Sequence, residues 1–231
     1  MPPQHFGQGF NQMMQASFGM EVFYSFVIIL CGILIYFGTK ELYQLSSHKG
    51  IKYFRLAFLF FAISYFFRSI IKFSLLFLDP KQLMNNFPIL FGPLPKLIFI
   101  YFSSIAVFYL LYSVLWKKLE TKNLLPFFHA LAILLALATN LFNDSLFYLI
   151  INLILLVFVA IVFLVSHKDS KKKKKKSWFY LIYLLLFVFW GLNILDILVQ
   201  TFLQTFQLLI YLASTAIFLF ILYRVLRRTG V

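Results

Sequence analysis

The chain has 231 residues, 62% of them hydrophobic and 12% charged, with a formal net charge of +14 and a mean hydropathy of +0.91. Soluble domains carry about 25% charged residues and disordered chains have low hydrophobicity, so both classes are excluded. No segments of ~10 residues alternate in polarity, which excludes a transmembrane β-barrel and leaves an all-α polytopic membrane protein.

The opening stretch MPPQHFGQGFNQMMQ contains no Lys or Arg and so lacks the basic region of a cleaved signal peptide. Residues 1–20 are expected to form a disordered extracytoplasmic tail. A seven-helix transmembrane domain is expected over 21–228, each span being apolar over ~18 residues or more, enough to cross ~30 Å of hydrocarbon. The first span, 21–39, opens with Glu21 and Ser25. It carries Cys31, the single cysteine, which reads as a small packing residue and can form no internal disulfide. The second, 52–78, stops at Asp79-Pro80 and holds Arg68 and Lys72 one helical turn apart in an otherwise apolar run. The loop NNFPILFGPLPK (85–96) has three prolines and reads as a connector or a lid. It leads into the third span, 92–116, with Ser103 and Ser104. The fourth, 124–142, contains His129. An Asn143-Asp144 turn precedes the fifth, 145–166, which holds Asn152. The sixth, 178–199, holds Asn193 and Asp196. The seventh, 202–224, begins with Gln204 and Gln207, which with Gln200 form one stripe at i, i+4 and i+7.

Orientation follows from Lys and Arg. Alternate loops collect Lys40, Lys49, Lys52 and Arg55, then Lys117, Lys118 and Lys122, then Lys168 and Lys171 to Lys176, then Arg224, Arg227 and Arg228. These are 17 of the 21 basic residues. The expectation is an outside N-terminus and a cytoplasmic C-terminus. The polybasic cytoplasmic loop HKDSKKKKKKS (167–177) places Lys171, Lys172, Lys173, Lys174, Lys175 and Lys176 against anionic lipid headgroups, each worth ~1 kcal/mol near such a leaflet. The loop lacks interleaved aromatics and lies against the bilayer, so no nucleic acid partner is expected. The cell membrane is the expected location.

SSHKG (46–50) precedes the second span and VSHKD (165–169) the sixth. With the six-lysine insertion removed, the helices behind them align at an offset of 125 positions. A 3+1+3 arrangement with parallel repeats would account for this.

Depth separates the two intramembrane cations. At 1.5 Å per residue, Arg68 lies about 18 Å from the inner boundary and about 12 Å below the outer one. Lys72 lies about 6 Å below the outer one and can snorkel to the headgroups. The same count places Asn193 near the Arg68 level and Asp196 near that of Lys72. A charge near the bilayer centre costs at least ~2.5–3.5 kcal/mol, so Arg68 requires a partner, and Asp196 and Glu21 are the candidates. The polar set Arg68, Asp196, Asn193, Glu21, Lys72, Asn152, Ser103, Gln204 and Gln207 gathers in the outer half. It predicts an outward-opening polar cavity with ligand-binding character.

Chemistry beyond this is thin. His48, His129 and His167 lie toward the inner face, yet none has the i, i+4 spacing of helical metal ligands, so no metal site is expected. No carboxylate pair, Ser/His/Asp set or phosphate loop falls at one depth, and no cofactor is expected. A retinal Schiff base needs a lysine, and 202–224 has none. The sequence therefore points to a non-enzymatic membrane protein that binds or senses a small or amphipathic ligand, signalling through a separate partner. A small-solute transporter and an accessory or assembly subunit without a ligand are the alternatives.

Overall fold

The computed structural model describes the backbone of residues 5–77, 93–118, 124–142, 145–172, 178–199 and 204–229. It describes the side chains of 19–70, 93–118, 124–142, 145–168, 170, 179–198 and 206–229. Eight helices occur among these residues: α1 (His5–Gly38), α2 (Lys40–Ser46), α3 (Lys49–Phe77), α4 (Pro93–Leu115), α5 (Leu124–Phe142), α6 (Ser145–Lys172), α7 (Trp178–Val199) and α8 (Gln204–Thr229). Seven stretches are long and apolar enough to cross a membrane: Gly19–Ser46, Lys49–Ile70, Pro93–Leu115, Leu124–Phe142, Ser145–Lys168, Phe179–Leu198 and Phe206–Thr229. α1 reaches back to His5, through most of the stretch expected as a tail. The loop 85–92, the Asp79-Pro80 stop and the Asn143-Asp144 turn lie outside the described residues.

The first span is two helices. Thr39 folds its hydroxyl back onto the Ile35 carbonyl at 2.7 Å, and α2 restarts at the next residue. Such back-bonding bends a helix because the hydroxyl competes for a ladder acceptor. α2 ends at Ser47, which takes φ 49 and closes the turn by donating its N–H to the Tyr43 carbonyl at 2.8 Å.

Six helices close a ring in the order α1, α3, α4, α6, α7, α8, with α8 back against α1. α5 stands outside it, packed mainly on α4. Two glycines set the tightest crossings. A Cβ on Gly32 would lie 2.8 Å from the Phe58 carbonyl oxygen, so α1 meets α3 backbone to backbone there. A Cβ on Gly50 would lie 2.7 Å from the Ser113 carbonyl oxygen, which fixes α3 against α4 in the same way.

Aromatic rings fill the middle of the ring of helices. α3 and α7 face each other across it, and Phe54 meets Tyr183 at 6.2 Å and Phe61 meets Trp190 at 6.0 Å. Phe218 of α8 closes on Phe189 at 4.6 Å. Rings of this size span a gap that aliphatic side chains would leave open, and edge-to-face pairs add stability beyond the area they bury. α5 turns Phe128, Ala132, Ala136 and Thr139 inward, one helical turn apart or nearly so. Its opposite face presents Phe127, Leu134 and Leu141, and α6 presents Leu146, Val157 and Leu164. Apolar faces turned outward on an apolar bundle are the mark of a protein solvated by lipid, so the bilayer is a partner of this chain.

Candidate functional site

Four helices bring a polar cluster to one end of the ring: α1 and α8 near the starts of their spans, α3 and α7 near the ends of theirs. The Nη2 nitrogen of Arg68 donates to Asp196 Oδ2 at 3.0 Å and to Glu21 Oε1 at 3.3 Å. Both partners expected from the cost of burying the cation are therefore present, one from α7 and one from α1. Asp196 is 2% exposed and needs more than one donor. Gln207 of α8 supplies the second, donating Nε2 to Asp196 Oδ1 at 3.3 Å and to the Tyr211 hydroxyl at 2.9 Å.

One turn deeper lies a second tier. The Tyr65 hydroxyl donates to Asn193 Oδ1 at 2.9 Å, and the Tyr24 hydroxyl stands 2.9 Å from that of Tyr65. Tyr24 also reaches Asn193 Oδ1 at 3.3 Å and stacks on Tyr211 at 5.0 Å. The Arg68 guanidinium lies over the rings of Tyr65 and Tyr24, at 5.6 and 6.0 Å. The tyrosines thus serve the cation as π faces and the amide as hydroxyls.

Arg68 and Asp196 are 128 positions apart, as are Tyr65 and Asn193. Depth counting paired Asp196 with Lys72 and Asn193 with Arg68 instead. Relative to α3, α7 therefore stands about one turn away from that register.

Of the sequence candidates, Arg68, Asp196, Glu21, Asn193 and Gln207 converge. Ser103 does not join them; it donates to the Ile100 carbonyl of its own helix at 3.1 Å. Asn152 likewise donates to the Tyr148 carbonyl at 2.9 Å. Ser104, next to Ser103 in the chain, is fully enclosed with no hydrogen-bond partner among the described residues. The side chains of Lys72, Gln204 and Lys171 to Lys176 lie outside those described. Sequence reasoning missed Tyr24, Tyr65 and Tyr211. Each stands three or four positions from a named candidate on its own helix, the spacing that puts two side chains on one face.

The histidines stay separate. His129 of α5 is held at both ring nitrogens, Nδ1 by the Tyr101 hydroxyl at 2.8 Å and Nε2 by the Tyr109 hydroxyl at 3.0 Å. His48 lies against Trp116, and His167 against Tyr180. Among the described residues no three His, Cys, Asp or Glu side chains group as metal ligands.

No family model matches the chain, and no solved structure does. An uncharacterised protein of Archaeoglobus fulgidus is 34% identical over 213 residues, which cover 90% of this chain and 92% of that protein. The chain belongs to the same family as that protein. The relation runs along nine-tenths of both chains rather than one segment.

Proposed function

We propose that this family member is a non-enzymatic membrane protein that binds or senses a small polar or amphipathic ligand at the Arg68 cluster. In this reading the cluster opens to the outside, with the N-terminus outside and the C-terminus cytoplasmic. One observation carries the proposal. Arg68 holds both carboxylates through a single nitrogen, while Nε and Nη1 donate to no described residue, and its side chain stays 13% exposed. Arginine–carboxylate pairs are frequently bidentate, with two parallel bonds of about 2.7–2.9 Å. Here the fork has one edge engaged and one edge open.

A ligand with an acceptor for Arg68 and a donor for the carboxylates suits this cluster. The orientation rests on the distribution of Lys and Arg along the sequence.

The test is a thermal-shift screen of the purified protein against amino acids, amines and short amphiphiles, with Arg68→Lys alongside. The expected result is one chemical class that raises the wild-type midpoint and fails to raise that of Arg68→Lys. A screen without hits, or a hit undiminished in both Arg68→Lys and Asp196→Asn, sinks the reading. Orientation is tested separately. In a Cys31→Ala background, Pro88→Cys is expected to react with an impermeant thiol reagent in intact cells, and Lys174→Cys only after permeabilisation.

Transport of a small solute is the second reading, and the ring order favours it. α1, α3 and α4 follow one another around the ring, as do α6, α7 and α8, and the joins are α4 with α6 and α8 with α1. A twofold axis along the ring would exchange the two triplets, the arrangement of parallel-repeat transporters. An accessory subunit needs a polar or small-residue face toward its partner, and the described outer faces of α5 and α6 are aliphatic and aromatic.

A further inference from the structure

The far end of α3 carries a second buried cation with a different surrounding. Arg55 is 8% exposed. It donates Nε to the Tyr36 carbonyl at 3.0 Å, near the end of α1. Its guanidinium lies over the rings of Tyr36 at 4.7 Å and Tyr43 at 5.7 Å. No described carboxylate comes within ion-pair distance. Glu41, on α2, is exposed, and the other described acidic side chains, Glu21 and Asp196, serve Arg68. The two η nitrogens donate to no described residue, yet neither is sealed off from the surface. The group is therefore held on one edge and on its faces, with its forked edge open and no described carboxylate beside its charge.

A carbonyl and two π faces orient a guanidinium, but they do not neutralise it. The η nitrogens keep access to the surface, so a counter-ion can come from outside the chain. The open edge is the part of an arginine that grips two oxygens of one anion. Its position limits which anion. Arg55 stands six residues, about 9 Å, beyond the start of α3. Exposed Lys40 and Lys52 lie near it in sequence, and Trp116 packs under Lys49 and Lys117 at the adjoining helix ends. Interfacial tryptophan and clustered lysine mark the headgroup level of a bilayer, where phosphate is the abundant anion.

We propose that Arg55, clamped between Tyr36 and Tyr43, is a binding site for one phosphate group, taken from a phospholipid headgroup or from free phosphate. This site is distinct from the lysine run and independent of the Arg68 reading.

Native mass spectrometry of the full chain tests it, after passage through phosphatidylcholine vesicles containing a minority of phosphatidylglycerol. Wild type is expected to retain one phosphatidylglycerol per chain. Arg55→Gln is expected to lose it about tenfold more readily, as the loss of a bidentate charge-assisted contact implies. Neutralising Lys171 to Lys176 with glutamine is expected to leave that one lipid in place. Retention by Arg55→Gln equal to wild type overturns the proposal, as does loss caused only by the lysine changes. Should Arg55→Gln fail to fold, Tyr43→Leu keeps the arginine and removes one wall; undiminished retention there overturns the proposal equally. A second arm compares phosphate with chloride at equal ionic strength in a zwitterionic detergent. A midpoint raised by phosphate in wild type but not in Arg55→Gln assigns the site to free phosphate. Lipid retention without that rise assigns it to the headgroup. Neither effect overturns the site.

Discussion

α3 buries two arginines thirteen residues apart, about 20 Å along the helix, and the bundle treats them in opposite ways. Arg68 has two carboxylates, two tyrosine faces and a second tier of hydroxyls beneath it. Arg55 has one carbonyl, two tyrosine faces and no described carboxylate. The aromatic clamp is common to both ends, so it serves to orient a guanidinium. The counter-ion is what differs. At the Arg68 end the protein supplies it, and the four helices that contribute become one unit. At the Arg55 end the proposal is that the surroundings supply it.

The largest expected effect breaks the Arg68 end. Arg68→Leu strands Asp196 as a buried carboxylate, and removing one partner of a buried pair costs about 3–5 kcal/mol. Unfolding in mixed micelles with increasing SDS measures this, and Arg68→Leu with Asp196→Leu should recover much of the loss. If Arg68→Leu costs no more than Arg55→Leu, the contrast between the two ends is wrong. Next is Gly32→Ala, which forces a methyl against the Phe58 carbonyl at the crossing that brings Glu21 to Arg68. Overpacking of this kind costs about 1–3 kcal/mol by the same assay. His129→Phe frees α5 from its two tyrosine bonds, a loss of about 1 kcal/mol, since interhelical hydrogen bonds in bilayers average ~0.6 each. Tyr65→Phe should likewise cost about 1 kcal/mol, because its hydroxyl bonds both Asn193 and Tyr24. Arg55→Leu is the smallest and sharpest. In a detergent without phospholipid it should be neutral or slightly stabilising, within about 0.5 kcal/mol, because the charge removed has no described carboxylate beside it. Added phosphatidylglycerol should then stabilise wild type and not the variant.

α5 and α7, Leu124–Phe142 and Trp178–Val199, fall on the expected 124–142 and 178–199, while α6, Ser145–Lys172, runs six residues past the expected 145–166. Arg68's partners were legible as well, since few acidic residues lie in the apolar runs and a deep cation must find one. Arg55 was not. Its position three residues after Lys52 reads as a loop cation, and only the close crossing of α1, α2 and α3 encloses it. The tyrosines of the second tier were hidden among 13 tyrosines and 32 phenylalanines, where one more ring carries no signal. α1 ends at Gly38, where the first span, 21–39, was expected to end, but the short helix α2 that follows it was not legible.

What the sequence alone determined is what the bilayer enforces: the number of spans, their length, and the need of each deep charge for a partner. Hydrocarbon solvates no backbone amide and no ion, so these outcomes follow from composition and spacing along one chain. Tertiary structure alone decided the order of helices around the ring, the exclusion of α5 from it, the register of α7 relative to α3, and the enclosure of Arg55 between Tyr36 and Tyr43. In a span apolar on all sides, no hydrophobic stripe says which face turns inward. That choice falls to small residues at crossings, to ring shapes, and to a few hydrogen bonds between helices far apart in sequence.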